Sequence, residues 1–251
     1  MRLDIVMPAH NEEDRIGPTL DSYRAVCAGD DTRFVVALDD CRDGTADVVA
    51  GHAARDERVV ALEYPKLGKG GVLMEAMSRS DADLVGFVDA DGATPPGEML
   101  RLAEAADAVG GAIACRHHPS AVLPADRPLR RRVTSAGFAL AVRRLLGLPY
   151  ADTQCGAKVL RRDVADDVLP ALTTRDLLFD VDLLQAAADR GHRLAEVPTI
   201  WVDQEGSRVD AVKDTRRMGA GLLRLWAARR RTRRGRVRVP FPPALAGAGR
   251  R

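Results

Sequence analysis

Short apolar runs alternate with helical patterns from the first residue onward. Segments 3–7, 34–38, 59–62, 84–88 and 112–115 are nearly continuous in Val, Ile, Leu, Phe, Met and Ala and read as short buried strands. Between them, 12–27, 44–54, 69–79 and 96–109 read as helices. Each has its own start signal: Asn11 before Glu12-Glu13, Asp43-Gly44-Thr45, the glycines at 68–71, and Thr94-Pro95-Pro96. Strands alternating with helices imply βαβ units, hence an α/β domain on a mainly parallel mixed sheet flanked by helices. In such sheets ligands bind outside the carboxyl ends of the strands.

Past residue 116 the pattern changes. A long helix is expected over 130–146, then an irregular stretch over 149–158 and helices near 163–168 and 180–190. A strand-like segment, 194–202, precedes a basic helix near 210–231, and the Pro/Ala/Gly/Arg end reads as disordered. The expected organisation is one domain over 1–212 with an appendage over 213–251.

The 251 residues are 46% apolar and 29% charged, which excludes a disordered or fibrous chain. No run reaches the roughly 20 apolar residues of a membrane span, and residues 1–8, short in apolar length and broken by Asp4, do not read as a signal peptide. Cys27, Cys41, Cys115 and Cys155 lack CxxC spacing and are expected to be reduced thiols in a cytoplasmic protein. The net charge of +2 hides an asymmetry. Residues 215–251 hold twelve arginines and no acidic residue, while the preceding 214 residues carry −10. Met218, Leu222, Leu225 and Trp226 fall at helical spacing among those arginines. That pattern suits a helix lying on an anionic membrane surface, or one that packs its apolar stripe on the domain. A nucleic-acid partner would also suit the charge, but aromatics are only 4% and no recognition motif is present, so no specific nucleic acid is expected.

The candidate chemistry lies at strand ends. Pro8-Ala9-His10-Asn11-Glu12, Asp39-Asp40-Cys41-Arg42-Asp43-Gly44-Thr45 and Asp89-Ala90-Asp91-Gly92 follow three of the expected strands. Carboxylates gathered this way repel one another unless a cation sits among them. Asp89 and Asp91 face one side of an extended segment, and their hard oxygens suit Mg²⁺ or Mn²⁺ bridging to a diphosphate. An acidic loop of capping aspartates would give the same letters at any one of these places, less readily at all three. Lys66-Leu67-Gly68-Lys69-Gly70-Gly71 opens a helix but is neither a P-loop nor a dinucleotide fingerprint. It reads as a glycine turn offering Lys69 to phosphate. Only Lys66, Lys69, Lys158 and Lys213 are lysines among 38 cationic residues, and three of them fall in these candidate segments.

Taken together, these ordered motifs resemble those of family-2 glycosyltransferases, which use a GT-A fold, a nucleotide-sugar donor and a divalent metal. Asp152-Thr153-Gln154-Cys155-Gly156-Ala157-Lys158 and Trp201…Glu205-Gly206-Ser207-Arg208-Val209 are similar to segments of dolichyl-phosphate β-glucosyltransferases. The resemblance covers residues 3–212. It implies that Pro8, Ala9, Glu12, Asp39 and Lys69 bind the donor together with Asp89, Ala90 and Asp91. Asp89 and Asp91 would also hold the metal, with Asp152 as a third catalytic carboxylate. The related mannosyltransferases imply an acceptor-phosphate set of Arg116, Arg131 and Ser135, joined here by Gln154 and Lys158. The Asp39–Asp43 motif is one residue shorter than the family's usual form. No counterpart of the N-terminal membrane helix of eukaryotic members is expected within these 251 residues, and they hold no Gln-x-x-Arg-Trp motif of processive synthases.

The reaction this implies is an inverting displacement that moves a hexose onto a polyprenyl phosphate. UDP-glucose is the favoured donor and GDP-mannose the other, with the enzyme peripheral on the cytoplasmic membrane face. A soluble hydroxyl acceptor is the rival, and it would require a general base, for which Asp152 is the candidate. A monophosphate needs none, being largely dianionic at pH 7. His117 and His118 could meet the diphosphate or metal, or be ordinary surface residues.

Overall fold

The computed structural model describes residues 1–29, 31–123, 129–202 and 211–233, with the side chains of 129–136, 211–217 and 231–233 outside the described set. Seven strands form one sheet: β1 (Leu3–Ala9), β2 (Thr32–Asp39), β3 (Val59–Tyr64), β4 (Leu84–Val88), β5 (Gly111–Cys115), β6 (Ala157–Arg161) and β7 (Ala195–Pro198). Their order is β3-β2-β1-β4-β6-β5-β7, and β6 alone runs antiparallel to its neighbours. Helices α1 (Glu13–Val26), α2 (Thr45–Ala53), α3 (Lys69–Ser78), α4 (Pro96–Val109), α5 (Leu129–Leu146), α6 (Arg162–Val168), α7 (Phe179–Asp189) and α8 (Ala211–Arg233) cover both faces.

Strand alternation sorts the core into two layers. Ile5, Met7, Phe34, Val36 and Leu38 face one layer, with Ile16 and Leu20 of α1 and Leu102 of α4. Val6, Val35, Ala37, Val85 and Phe87 face the other, with Leu73 of α3 and Phe179 and Leu183 of α7. A sheet buried on both faces requires the near-continuous apolar runs seen in the sequence.

Three expectations need correction. The stretch 149–158 is not wholly irregular, because its end enters β6, wedged between β4 and β5. Lys158 disguised that strand by interrupting an apolar run, and its charge is met inside the fold. Asn11 does not cap α1; it adopts a left-handed backbone (φ 57°), and its Oδ1 accepts the Arg42 N–H at 2.8 Å. The strand expected over 194–202 is shorter, ending at Pro198, with only an isolated bridge from Ile200 to Val122 beyond it. The segments 203–210 and 234–251, and with them the Glu205–Val209 motif and the tail expected to be disordered, lie outside the described residues.

The apolar stripe of α8 is used within the fold. Leu222 and Leu225 are buried in the second core layer, with Met218 and Trp226 packed beside them. Arg229 donates to Asp182 at 2.8 Å and also pairs with Asp189, both on α7. Asp182 is fully buried, and its other oxygen accepts the backbone N–H groups of Thr173 (2.8 Å) and Thr174 (3.0 Å). Arg229→Ala leaves that carboxylate without its cation and is expected to cost about 2 kcal/mol, below a fully orphaned charge because the amide bonds remain. Thermal denaturation should show a fall of about 4–8 °C for a chain of this size. An unchanged midpoint would mean that α8 is not held by this contact.

Candidate functional site

A chain of contacts joins the carboxyl ends of β1, β2 and β4. At the end of β1, Ala9 is buried beside half-buried Pro8, and the His10 ring Nδ1 lies 2.6 Å from the Asp39 carbonyl oxygen. The Glu12 N–H donates to Thr45 Oγ1 (2.7 Å), and its carboxylate accepts from Arg15 Nε (2.6 Å). Asp39 is buried at the end of β2. Its carboxylate accepts the Leu67 N–H at 2.7 Å and the Gly68 N–H at 3.2 Å, with Lys66 Nζ 3.1 Å away. Gly68 takes a left-handed φ of 81°, and the carbonyl of Arg175 would lie against any side chain there.

That turn delivers Lys69 at the first position of α3. Its Nζ lies 2.6 Å from Asp89 Oδ1 at the end of β4, 3.8 Å from Asp180 Oδ2, and 5.9 Å from the centroid of the Phe87 ring. Burial alone would lower the Lys69 pKa, but Asp89 and Asp180 outweigh it and push it up, so the ammonium stays charged. Burial and the neighbouring Asp89 charge raise the pKa of Asp91, one of whose oxygens accepts the Ala93 N–H at 3.0 Å. Ala90 is buried, and its carbonyl accepts from Thr19 Oγ1 of α1 (3.1 Å).

Asp89 also depends on a distant segment. Its N–H donates to the Gly156 carbonyl at 3.0 Å, and a Cβ at Gly156 would collide with the Asp89 carboxylate. Gly156→Ala must therefore displace Asp89 or the chain entering β6. We expect the variant to fold and to lose about 100-fold in kcat, the usual cost of misplacing a reacting group by about 1 Å. Wild-type kcat would show that the Asp89 position is immaterial.

The expected acceptor set is distributed differently. Asp152 is buried, and Arg116 grips both its oxygens, Nε to Oδ2 at 2.7 Å and Nη2 to Oδ1 at 2.9 Å. Against the opposing effect of burial, these bonds hold the Asp152 carboxyl well below the usual range. Such a carboxylate is a poor proton acceptor at neutral pH, which runs against its expected role as a base. The same pair commits Arg116 to Asp152, with the guanidinium 5.5 Å from the Trp201 ring centroid, so it is not a free phosphate clamp. Lys158 does not serve an acceptor either. It is 1% exposed, donates to the Cys155 carbonyl (2.7 Å) and pairs with Asp180. Gln154 is half-buried, with Nε2 3.8 Å from Met218 Sδ of α8. The side chains of Arg131 and Ser135 lie outside the described residues. His117 and His118 are exposed, with His117 Nδ1 3.0 Å from the Ala151 carbonyl oxygen and His118 accepting the Ser120 N–H.

Asp180 had no motif to announce it. It lies in the first turn of α7 among apolar residues, and only a buried carboxylate in an otherwise apolar helical pattern could have drawn notice. Beside it, Lys66–Lys69, residues 175–177 and Met218 line a groove of about 460 Å³. Among the described residues no three metal-ligating side chains come together. Two carboxylates do fit an ion that completes its shell with phosphate oxygens and water, the usual manner of Mg²⁺. The Lys69 ammonium seated on Asp89 already places a cation on one of these oxygens, and burial together with the Asp89 charge raises the Asp91 pKa, so further positive charge would favour its ionised form. All four cysteines are free thiols. No described helix is long and apolar enough to cross a membrane.

The chain is 30% identical over 236 residues to glycosyltransferase AglD of Haloferax volcanii, covering 90% of this chain but only 37% of AglD. It is 30% identical over 243 residues to the dolichyl-phosphate β-glucosyltransferase of Drosophila melanogaster, covering 90% of this chain and 74% of that one. Glucosyl-3-phosphoglycerate synthase of Mycobacterium tuberculosis, crystallised with Mn²⁺, UDP and glucosyl-3-phosphoglycerate, superposes with a TM-score of 0.68 at 17% identity, over 90% of this chain and 80% of that one. The sheet and its helices are thus those of the GT-A glycosyltransferases. Residues 4–169 match the model of glycosyl transferase family 2, the family to which this chain belongs.

Proposed function

We propose that the chain transfers a hexose from a nucleoside diphosphate sugar to a polyprenyl phosphate, with inversion and with the help of Mg²⁺ or Mn²⁺. The donor half of this reading rests on the ends of β1, β2 and β4, where Asp39, Lys69, Asp89 and Asp91 meet. Asp39 is fixed beside the glycine turn and orients the nucleoside, with Pro8, Ala9, Glu12 and Ala90 walling the same cleft. Lys69 offers a half-buried ammonium that stays charged to the diphosphate, and Asp89 and Asp91 would hold the ion. When bound, that ion neutralises the departing nucleoside diphosphate.

The acceptor half is carried by one observation, the Arg116–Asp152 pair. A hydroxyl acceptor needs a base, and the carboxylate expected to supply it is locked to a guanidinium. A phosphate monoester attacks without one, which favours a lipid phosphate over a sugar hydroxyl. Glucose is preferred because the fly relative named above is a dolichyl-phosphate β-glucosyltransferase. The outward side of α8, where Leu223, Arg224 and Arg230 are exposed, supplies a basic face toward an anionic bilayer, at about 1 kcal/mol per arginine.

The test is mass spectrometry of the organic phase after incubation with Mg²⁺ or Mn²⁺, a short polyprenyl phosphate, and UDP-glucose or GDP-mannose in separate reactions. A hexose-mass adduct of the lipid phosphate with UDP-glucose is the expected result. An adduct only with GDP-mannose would correct the donor. No adduct, from protein that binds UDP with metal, would overturn the lipid acceptor in favour of a soluble one.

A further inference from the structure

Four side chains of alternating charge run in line beneath the site: Asp89, Lys69, Asp180 and Lys158. The Lys69 ammonium stands between two carboxylates, 2.6 Å from Asp89 and 3.8 Å from Asp180. The opposite oxygen of Asp180 holds Lys158, whose ammonium also donates to the Cys155 carbonyl. Lys158 is 1% and Asp180 4% exposed, so neither can touch a bound substrate. The Phe87 ring lies against both ammonium groups, at 5.9 Å from Lys69 and 5.3 Å from Lys158, and Phe179 packs edge-on to it at 5.5 Å. Gly70 lets α3 approach the start of α7 closely, since a Cβ there would lie 2.7 Å from Phe179 Cβ.

Lys158 needs only one of the Asp180 oxygens. The second faces Lys69 at a distance too long for a hydrogen bond and short enough to become one after a shift of about 1 Å. Such a position matters when Asp89 exchanges partners. A divalent ion arriving at Asp89 repels the ammonium now seated there, and the nearest remaining anion on the buried side is Asp180. We propose that Asp180 is the second seat of Lys69: the ammonium moves from Asp89 to Asp180 when Asp89 takes a divalent cation, and so remains in the site to face the donor phosphates. Asp180 is then a positioning residue, acting through Lys69. The idea rests on the reading of Asp89 as a cation ligand.

The experiment measures binding of Mn²⁺ alone, from the electron paramagnetic resonance signal of the free ion. It uses the wild type, Lys69→Met, Asp180→Asn and the double variant. Lys69→Met should bind Mn²⁺ more tightly, because the competing ammonium is gone. Asp180→Asn should bind it at least about fivefold more weakly, because Lys69 has no other seat, and this loss should vanish in the Lys69→Met background. An equal loss in both backgrounds would mean that Asp180 acts by its own charge or through the fold, and no loss in either would mean that it does not act; each overturns the proposal. Should Asp180→Asn fail to fold, Asp180→Asn with Lys158→Met removes both buried charges together and takes its place in both backgrounds. Wild-type protein that binds no Mn²⁺, with or without UDP, would remove the donor-site reading and this proposal with it. Binding without coupling to Lys69 removes the proposal alone.

Discussion

Replacing Asp91 by alanine should lower kcat/KM for hexose transfer about 1,000-fold, equivalent to about 4 kcal/mol of lost transition-state stabilisation. Asp91 sits past the end of β4, half-buried, and one of its oxygens is held by the Ala93 N–H. Burial first, and repulsion by the Asp89 charge second, push its pKa up, and a cation there would favour its charged form. The substitution removes that repulsion, so the protein should be no less stable, and the loss should fall on the chemistry. Initial rates over a series of Mn²⁺ and donor concentrations, with a melting curve as control, distinguish the two. Wild-type rates from the variant would show that the metal-bearing carboxylates lie elsewhere.

The second large effect is on stability. Asp152→Ala leaves Arg116, whose side chain is 16% exposed, without the carboxylate that takes two of its nitrogens. Orphaning a buried charge typically costs about 3–5 kcal/mol, so the melting temperature should fall by about 10 °C. The sign with pH follows from the depressed Asp152 pKa. The pair contributes fully above the unfolded value of about 3.9 and fades only as pH falls through the lower folded value. The gap between wild type and variant should therefore stay constant from pH 7 down to about pH 5. A normal melting temperature combined with a collapsed rate would reverse the assignment and restore Asp152 as a base.

The part of the molecule legible in the sequence is the part built from local rules. The strands 3–7, 34–38, 59–62 and 84–88 are apolar runs on a doubly covered sheet, and their ends carry Asp39, Asp89 and Asp91; Lys69 pairs with Asp89, and Asp39 holds the turn just before Lys69. What was not legible depends on pairing between distant residues. Lys158 reads as an acceptor ligand because it closes the Asp152–Lys158 segment that resembles the dolichyl-phosphate glucosyltransferases. Only the fold reveals Asp180 22 residues further on as its partner. Arg116 and Asp152 were each assigned a substrate-facing role, yet 36 residues apart they neutralise each other. The apolar stripe of α8 admitted a bilayer or the protein's own core, and nothing in its letters chooses between them. Leu222 and Leu225 lie in the core.

The antiparallel strand β6 has a consequence for how the chain is made. Strands β1 to β4 can pair once residue 88 has emerged from the ribosome, but β5 touches the sheet only through β6 and β7. Between residues 116 and 156 a nascent chain thus carries a finished half-sheet with β4 as an open edge and β5 without a place. Open strand edges invite pairing with other chains, so this interval is where a folding helper would matter most. Arrival of β6 closes the edge and sets the Gly156 carbonyl on the Asp89 amide in one step. Asp89 therefore gains its backbone anchor only when β6 joins, and the sheet itself is complete only later, when β7 pairs with β5.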